Sequence, residues 1–327
     1  MPFRVRPAKP FTGEFRAIAR RQLSHAIAFL EEQPGGPHEA IHDARKKFKR
    51  LRALYRLVQP DAKEFRRREN ARIRDMGRTL STVRDATALV ETLNYLAGEA
   101  ASPEELKALA FASKVLIERR DRIAAEETDL PAKIAAAVAE CREASAALDE
   151  LSLDDSPKKT AKRLAKAWSK QRLRALEALE ACEENADAEA FHALRKSGQT
   201  YWMHLSLLND VWPSAMAAKK REAKHLVDIL GHEHDLSVLT ELVNESPELF
   251  GDSDTLALLI GAIITRQQAL RREALDRAEE VFADHAAEES ALIAALWERA
   301  ASGPKAREKA KRKNSGNGQL AHQLRGQ

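Results

Sequence analysis

The sequence predicts an all-α protein, and three observations carry that expectation. Ala, Leu, Glu, Lys and Arg dominate while glycine (13), proline (12) and aromatic residues (5%) are scarce, a composition that suits long helices. Apolar residues recur at helical spacing, and no segment of strand length alternates β-branched with polar residues. Shifting the numbering by 150 lays the second half on the first, as a duplicated helical unit would.

The elements follow in order. A first helix over 12–33 carries Phe15, Ile18, Leu23, Ile27 and Leu30 as apolar positions and Arg16, Arg20 and Arg21 as cations, and the Pro34-Gly35-Gly36-Pro37 turn ends it. A second helix, 38–58, stops at Pro60. Asp61 with Glu64 forms a capping-box pattern that opens one long helix to about residue 97, bearing Arg66, Arg67, Arg68, Arg72, Arg74, Arg78 and Arg84. Ser102-Pro103-Glu104-Glu105 is a further start signal; the helix after it is interrupted near Pro131 and resumes to about residue 148. The acidic joint LDELSLDDSP leads to Ser156-Pro157, where the chain starts over.

At the 150-residue shift, Arg16 and Arg20 meet Lys166 and Lys170, Leu23 meets Leu173, and His42, Arg45 and Lys46 meet His192, Arg195 and Lys196. Further on, Arg74 meets Lys224, Leu80 meets Leu230, Arg84 meets His234 and Asp85 meets Asp235. The expected organisation is two helical-bundle halves, 1–150 and 151–302, of about four helical segments each and packed about a pseudo-two-fold axis. A basic tail, 303–327, has little to bury and is expected to be disordered.

Charge is polarised. Residues 1–84 carry +12 and residues 304–327 carry +6, so 85–303 carry −14 within a net charge of +4. A concentrated positive surface attracts polyanions. The longest apolar run, 256–264, is too short to span a bilayer, and the N-terminus lacks the apolar region of a secretory signal. Cys141 and Cys182 have no metal-ligand spacing and read as two reduced thiols of a cytoplasmic protein.

The second helix is the centre of the reading. At about 100° per residue, His42, Arg45, Lys46, Lys49, Arg52 and Arg56 fall on one stripe, while Ile41, Ala44, Phe48, Leu51, Tyr55 and Val58 fall on the opposite one. Like charges three and four residues apart repel, so the row calls for solvent or an anion. His232-Glu233-His234-Asp235 suggests metal ligation, but the spacing is not H-E-x-x-H, and His234 stands where the first half has Arg84, which favours an anion role. Asp85 and Asp235 are expected to pair with a nearby Arg or Lys and orient it.

These residues resemble the CHAD family, whose pattern is a helix histidine followed by basic residues at +3, +7, +8 and +10: here His42, Arg45, Lys49, Arg50 and Arg52. The second half is similar in part, with His192, Arg195 and Lys196, although Gln199, Thr200 and Trp202 replace cations. Leu80 to Asp85 and Leu230 to Asp235 look like the family's LG-x-x-R-D stretch. The resemblance implies two four-helix bundles enclosing a basic central channel that binds inorganic polyphosphate, often on polyphosphate granules; no catalytic residue, metal or cofactor is expected. The triphosphatase domain that often accompanies the family has an ExExK motif, which is absent.

The expected ligand contacts are therefore Arg16, Arg20, His42, Arg45, Lys46, Lys49, Arg50, Arg52, Arg74, Arg78 and Arg84 in the first half. In the second half they are Lys166, Lys170, His192, Arg195, Lys196, Lys224 and His234. Arginine supplies a planar fork to phosphate oxygens and lysine a point charge. Two alternatives stay open. A cationic groove also attracts nucleic acid, although no recognised nucleic-acid motif is visible. An accessory subunit of a phosphoanhydride-hydrolysing enzyme is the other.

Overall fold

Eleven α-helices account for the described part of the chain, which in this computed structural model is residues 3–302, without the side chains of residues 82 and 83. The basic tail expected at 303–327 lies outside the described residues. The first six helices are α1 (Phe11–Glu32), α2 (Pro37–Val58), α3 (Lys63–Thr79), α4 (Thr82–Ala97), α5 (Pro103–Glu126) and α6 (Leu130–Ala147). Five follow: α7 (Pro157–Asn185), α8 (Ala188–Leu207), α9 (Pro213–Glu245), α10 (Ser253–Val281) and α11 (Ala286–Ala301). No strand occurs among the described residues.

The packing of the first six helices resembles that of the last five. α1 lies on α2 and α6, α2 on α3, and α4 on α5; α7 lies on α8 and α11, α8 on α9, and α9 on α10. Across the middle, α2 packs on α7 and α8, α4 on α9, and α5 on α10. Buried side chains from both parts of the chain join in one apolar cluster running from Val5 to Trp297, so the core is continuous across the middle.

Two features differ from expectation. The helix predicted from Asp61 to residue 97 is broken at Leu80 and Ser81 into α3 and α4, whereas its counterpart α9 runs unbroken. Asp61 makes no cap; its carboxylate accepts from the buried Arg163 Nε at 2.6 Å and so ties the joint between halves. The second difference is register. α2 and α8 bury matching positions at a shift of 150: Ile41 and Phe191, Ala44 and Leu194, Leu51 and Tyr201, Tyr55 and Leu205. In α1 and α7 the shift is 149: Phe15 matches Leu164, Ile18 matches Ala167, Gln22 matches Gln171, and Leu23 matches Arg172. Leu173, paired with Leu23 on the sequence, is 50% exposed. The pairing of Arg16 and Arg20 with Lys166 and Lys170 is therefore out of register by about 100° of helix rotation.

The apolar stripe of α2 is buried as its spacing requires, from Ile41 through Ala44, Phe48, Leu51 and Tyr55 to Val58. Burying each large side chain stabilises the fold by about 1.5–3 kcal/mol. That anchorage fixes where the opposite, cationic stripe points: toward α3, α8 and α9.

Candidate functional site

Between the halves lies a cavity of about 600 Å³. α2 gives it Arg45, Lys49 and Arg52; α3 gives Arg74 and Arg78; α8 gives His192, Arg195 and Lys196; α9 gives His234. Phe48, Ile73 and Gln199 also line it, together with Asp85, the one carboxylate there.

Corresponding positions build two similar clusters. Arg45 lies 3.9 Å from Asp85 and Arg195 lies 4.0 Å from Asp235, which orients both guanidinium groups. Arg45 also donates from Nη1 to the Gly77 carbonyl at 2.5 Å, taking up a carbonyl near the end of α3, where helical partners run out. Arg84 donates from Nε to His42 Nδ1 at 2.9 Å and from Nη2 to Glu91 at 2.8 Å, so His42 stands behind Arg84 as its acceptor. In the second half His192 stacks on His234. His192 Nδ1 and Arg84 Nη1 are buried without a hydrogen-bond partner.

Lys49, Arg52 and Lys196 have no carboxylate within ion-pair distance among the described residues; Arg52 donates only to the Asn70 amide oxygen, at 3.1 Å. Burial, followed by the charges of Arg195 and Arg45, lowers Lys49 to about 8. Burial with Lys196, Arg195 and Lys49 lowers His192 to about 4, and burial with Arg195, His192 and Lys196 lowers His234 to about 3. His42 is lowered by burial and then by Arg84. Burial holds Asp235 above the usual carboxylate range against the pull of Arg195. The lowered lysine and histidines have the sign expected where positive charge is gathered, whereas at Asp235 burial outweighs the neighbouring cations.

Seven of the expected contacts lie away from this cavity. Arg16 donates to the carbonyls of Asp149 and Leu151, and Arg20 pairs with Asp149 at 2.5 Å, so both fasten the joint. Lys46 pairs with Asp43 at 2.9 Å. Arg50, one residue beyond Lys49 and so turned away, lies over the Phe3 ring. Lys224 pairs with Asp228 and lies over Trp202. Lys166 and Lys170 line a second cavity, of about 260 Å³, with Arg56, Lys63 and Arg174.

Arg56, Arg66, Lys63 and Arg174, which gather at this second cavity, are not among the contacts expected from the sequence. The repeat could not find them, because their partners at the 150-residue shift are Ser206, Met216, Pro213 and Ser24. The available signal was local: Lys166, Lys170 and Arg174 form a row of cations four residues apart. The four residues from His232 to Asp235 disperse. His232 stacks on Tyr95 at 4.0 Å, Glu233 is buried against Arg271 at 2.9 Å, and His234 faces the cavity. No group of three or more His, Cys, Asp or Glu converges as a metal site among the described residues.

The sequence profile of the CHAD domain matches residues 17–244. Among solved structures the fold is similar to the crystal structure of the CHAD domain from the plant Ricinus communis, with a TM-score of 0.57 over 87% of this chain and 97% of that one. Identity there is 19%, so this likeness is one of fold. Among curated proteins no sequence matches. No described helix is long and apolar enough to cross a membrane.

Proposed function

The chain belongs to the CHAD domain family, and on that premise we propose that it binds inorganic polyphosphate in the cavity between its halves and holds it without hydrolysis. The observation that carries this is the convergence of Lys49 and Arg52 from α2 with Arg195 and Lys196 from α8 on one space. Most of those charges are left for a ligand to neutralise.

In this reading Arg45 and Arg195, each steadied by its aspartate, present forks to phosphate oxygens, and Lys49 and Lys196 supply point charges. His192 lines the cavity, whereas Arg84 stands behind it against His42 and Glu91. Asp85 and Asp235 are engaged by arginine rather than gathered to hold the metal ions on which phosphoryl transfer leans. That arrangement supports a holding role; a cytoplasmic location and association with polyphosphate granules belong to the same proposal.

Competition binding tests the reading. Labelled long-chain polyphosphate should bind and resist displacement by excess single-stranded RNA or duplex DNA. Displacement at equal phosphate concentration would make nucleic acid the better ligand. Release of orthophosphate on incubation would replace holding with hydrolysis.

A further inference from the structure

The apolar side chains left on the surface are not scattered. Among the described residues nine large ones are exposed, and six of them belong to α5, α10 and the turn 247–250 before α10: Leu106, Phe111, Ile117, Leu249, Leu258 and Ile264. These three elements pack on one another. The Phe111 ring lies so close to Gly251, at the start of α10, that a Cβ there would stand 3.1 Å from it. Single exposed apolar residues are ordinary, whereas a group on adjoining elements marks a surface that a partner covers. None of these residues lines either basic cavity.

The pattern along α10 says what that partner is. Asp254, Leu258, Gly261, Thr265, Gln268 and Arg272 are all exposed and, at about 100° per residue, lie within about 40° of one line along the helix. Asp254 and Arg272 stand five whole turns apart, about 27 Å, with opposite charges at opposite ends. Neither enters an ion pair among the described residues, whereas Arg271 and Arg277 are held by Glu233 and Glu280. Nor does Asp254 cap the helix, since the Thr255 amide donates to Asp252. Near the midpoint Gly261 faces open space: a Cβ added there meets nothing within 4 Å. Beside it a groove of about 250 Å³ runs between α10 and the α4–α5 connection, with Gly261, Thr265 and Ala269 along one wall and Leu96 and Glu105 along the other.

Reversed end for end, this face is its own complement. We propose that α10, flanked by the exposed side chains of α5, is the interface of a homodimer in which two copies of α10 run antiparallel about residue 263. Asp254 of one copy then meets Arg272 of the other, and the reverse pair forms by symmetry, as a two-fold contact requires. Gly261 comes opposite Thr265, where the missing Cβ lets the backbones approach. Leu258 comes level with Gln268 of the other copy, beside the groove that Thr265 and Ala269 line. A partner of different sequence would have to supply the same order of charges, whereas a second copy carries it already.

Sedimentation velocity of the full chain over a concentration series tests this. The wild-type protein should reach twice 36.5 kDa and fall toward the monomer mass on dilution. Asp254→Arg and Arg272→Asp each set like charges opposite one another, so each should weaken dimerisation about tenfold or more. The two together restore the pairs with reversed sign and should recover it. Gly261→Gln should hold the chain monomeric with an unchanged circular dichroism signal, since in the monomer the added side chain enters open space. A wild-type chain still monomeric at about 0.1 mM would overturn the proposal. A dimer that withstands Gly261→Gln, or that both single charge swaps leave unchanged, is built on another surface and overturns it equally.

Discussion

His192 and His234 stack with ring centroids 4.2 Å apart and planes 21° from parallel, at the position where the first half has Arg84 donating to His42. Two neutral imidazoles thus replace a cation and its acceptor, so the second half carries less fixed charge and more titratable charge.

Binding should depend on pH through these groups. In the empty cavity His192 and His234 titrate at about 4 and about 3, below the ordinary 6.5. A polyanion favours their charged forms, so affinity strengthens as pH falls from about 6.5 toward 4. Lys49, at about 8, loses its charge as pH rises through that value, and affinity weakens there. Titrating affinity between about pH 4 and pH 9 checks both limbs. His192→Asn with His234→Asn should flatten the acid limb, and a wild-type profile already flat would refute the assignment.

Stability of the ligand-free protein carries the opposite sign. A histidine lowered in the folded state binds fewer protons than in the unfolded chain, so its contribution is present above about 6.5 and lost as pH falls through about 4. His204, fully buried with its Nε2 against the Ala53 carbonyl and also at about 4, adds to this. The melting temperature should drop over that window and recover in part with polyphosphate bound. A melting temperature independent of pH there would contradict the burial of these rings.

Salt should weaken binding steeply. With Arg45, Lys49, Arg52, Arg195 and Lys196 each engaging a phosphate, the slope of log affinity against log salt is about −3.5 at −0.7 per contact. Lys49→Gln should make it shallower by about 0.7 while leaving helicity intact, since Lys49 lies off the buried stripe of α2. Loss of the circular dichroism signal in that variant would mean the two faces are misassigned.

Glu289 should matter for folding rather than for binding. Its carboxylate meets the fully buried Arg172 at 2.6 Å and accepts from Tyr201 Oη at 2.7 Å, which fastens α11 to α7 and α8. Glu289→Ala leaves a buried guanidinium uncompensated and should cost about 3–5 kcal/mol in denaturant unfolding. A change within about 1 kcal/mol would show that Arg172 finds another partner.

The two thiols should be inert. Cys141 and Cys182 are buried and unbridged, and burial pushes both up to about 12. A thiol reagent should label neither in the native protein and both after unfolding.

Much of this molecule was legible along the chain. The composition and the 3.6-residue spacing gave the helices, because an amphipathic stripe is a local property. Ser102 does accept from the Glu105 amide as its motif requires. Asp85 and Asp235 lie beside Arg45 and Arg195 because both pairs occupy corresponding positions of helices that pack in the same way. Arg50, Lys46 and Lys224 were not separable from their neighbours on the sequence, since a cation's direction depends on a turn of about 100° per residue and on the nearest carboxylate.

The sequence by itself determined which residues form helices, which face of α2 is apolar, and that cations accumulate in the first half. Only the tertiary structure decided which of those cations remain unpaired. Asp149 takes Arg20, whereas Lys49, Arg52 and Lys196 meet across a space whose lining carboxylate, Asp85, is held by Arg45. The physical reason is range: helix formation is settled within a few residues, whereas enclosing like charges without counterions requires packing energy from α2, α3, α8 and α9 together.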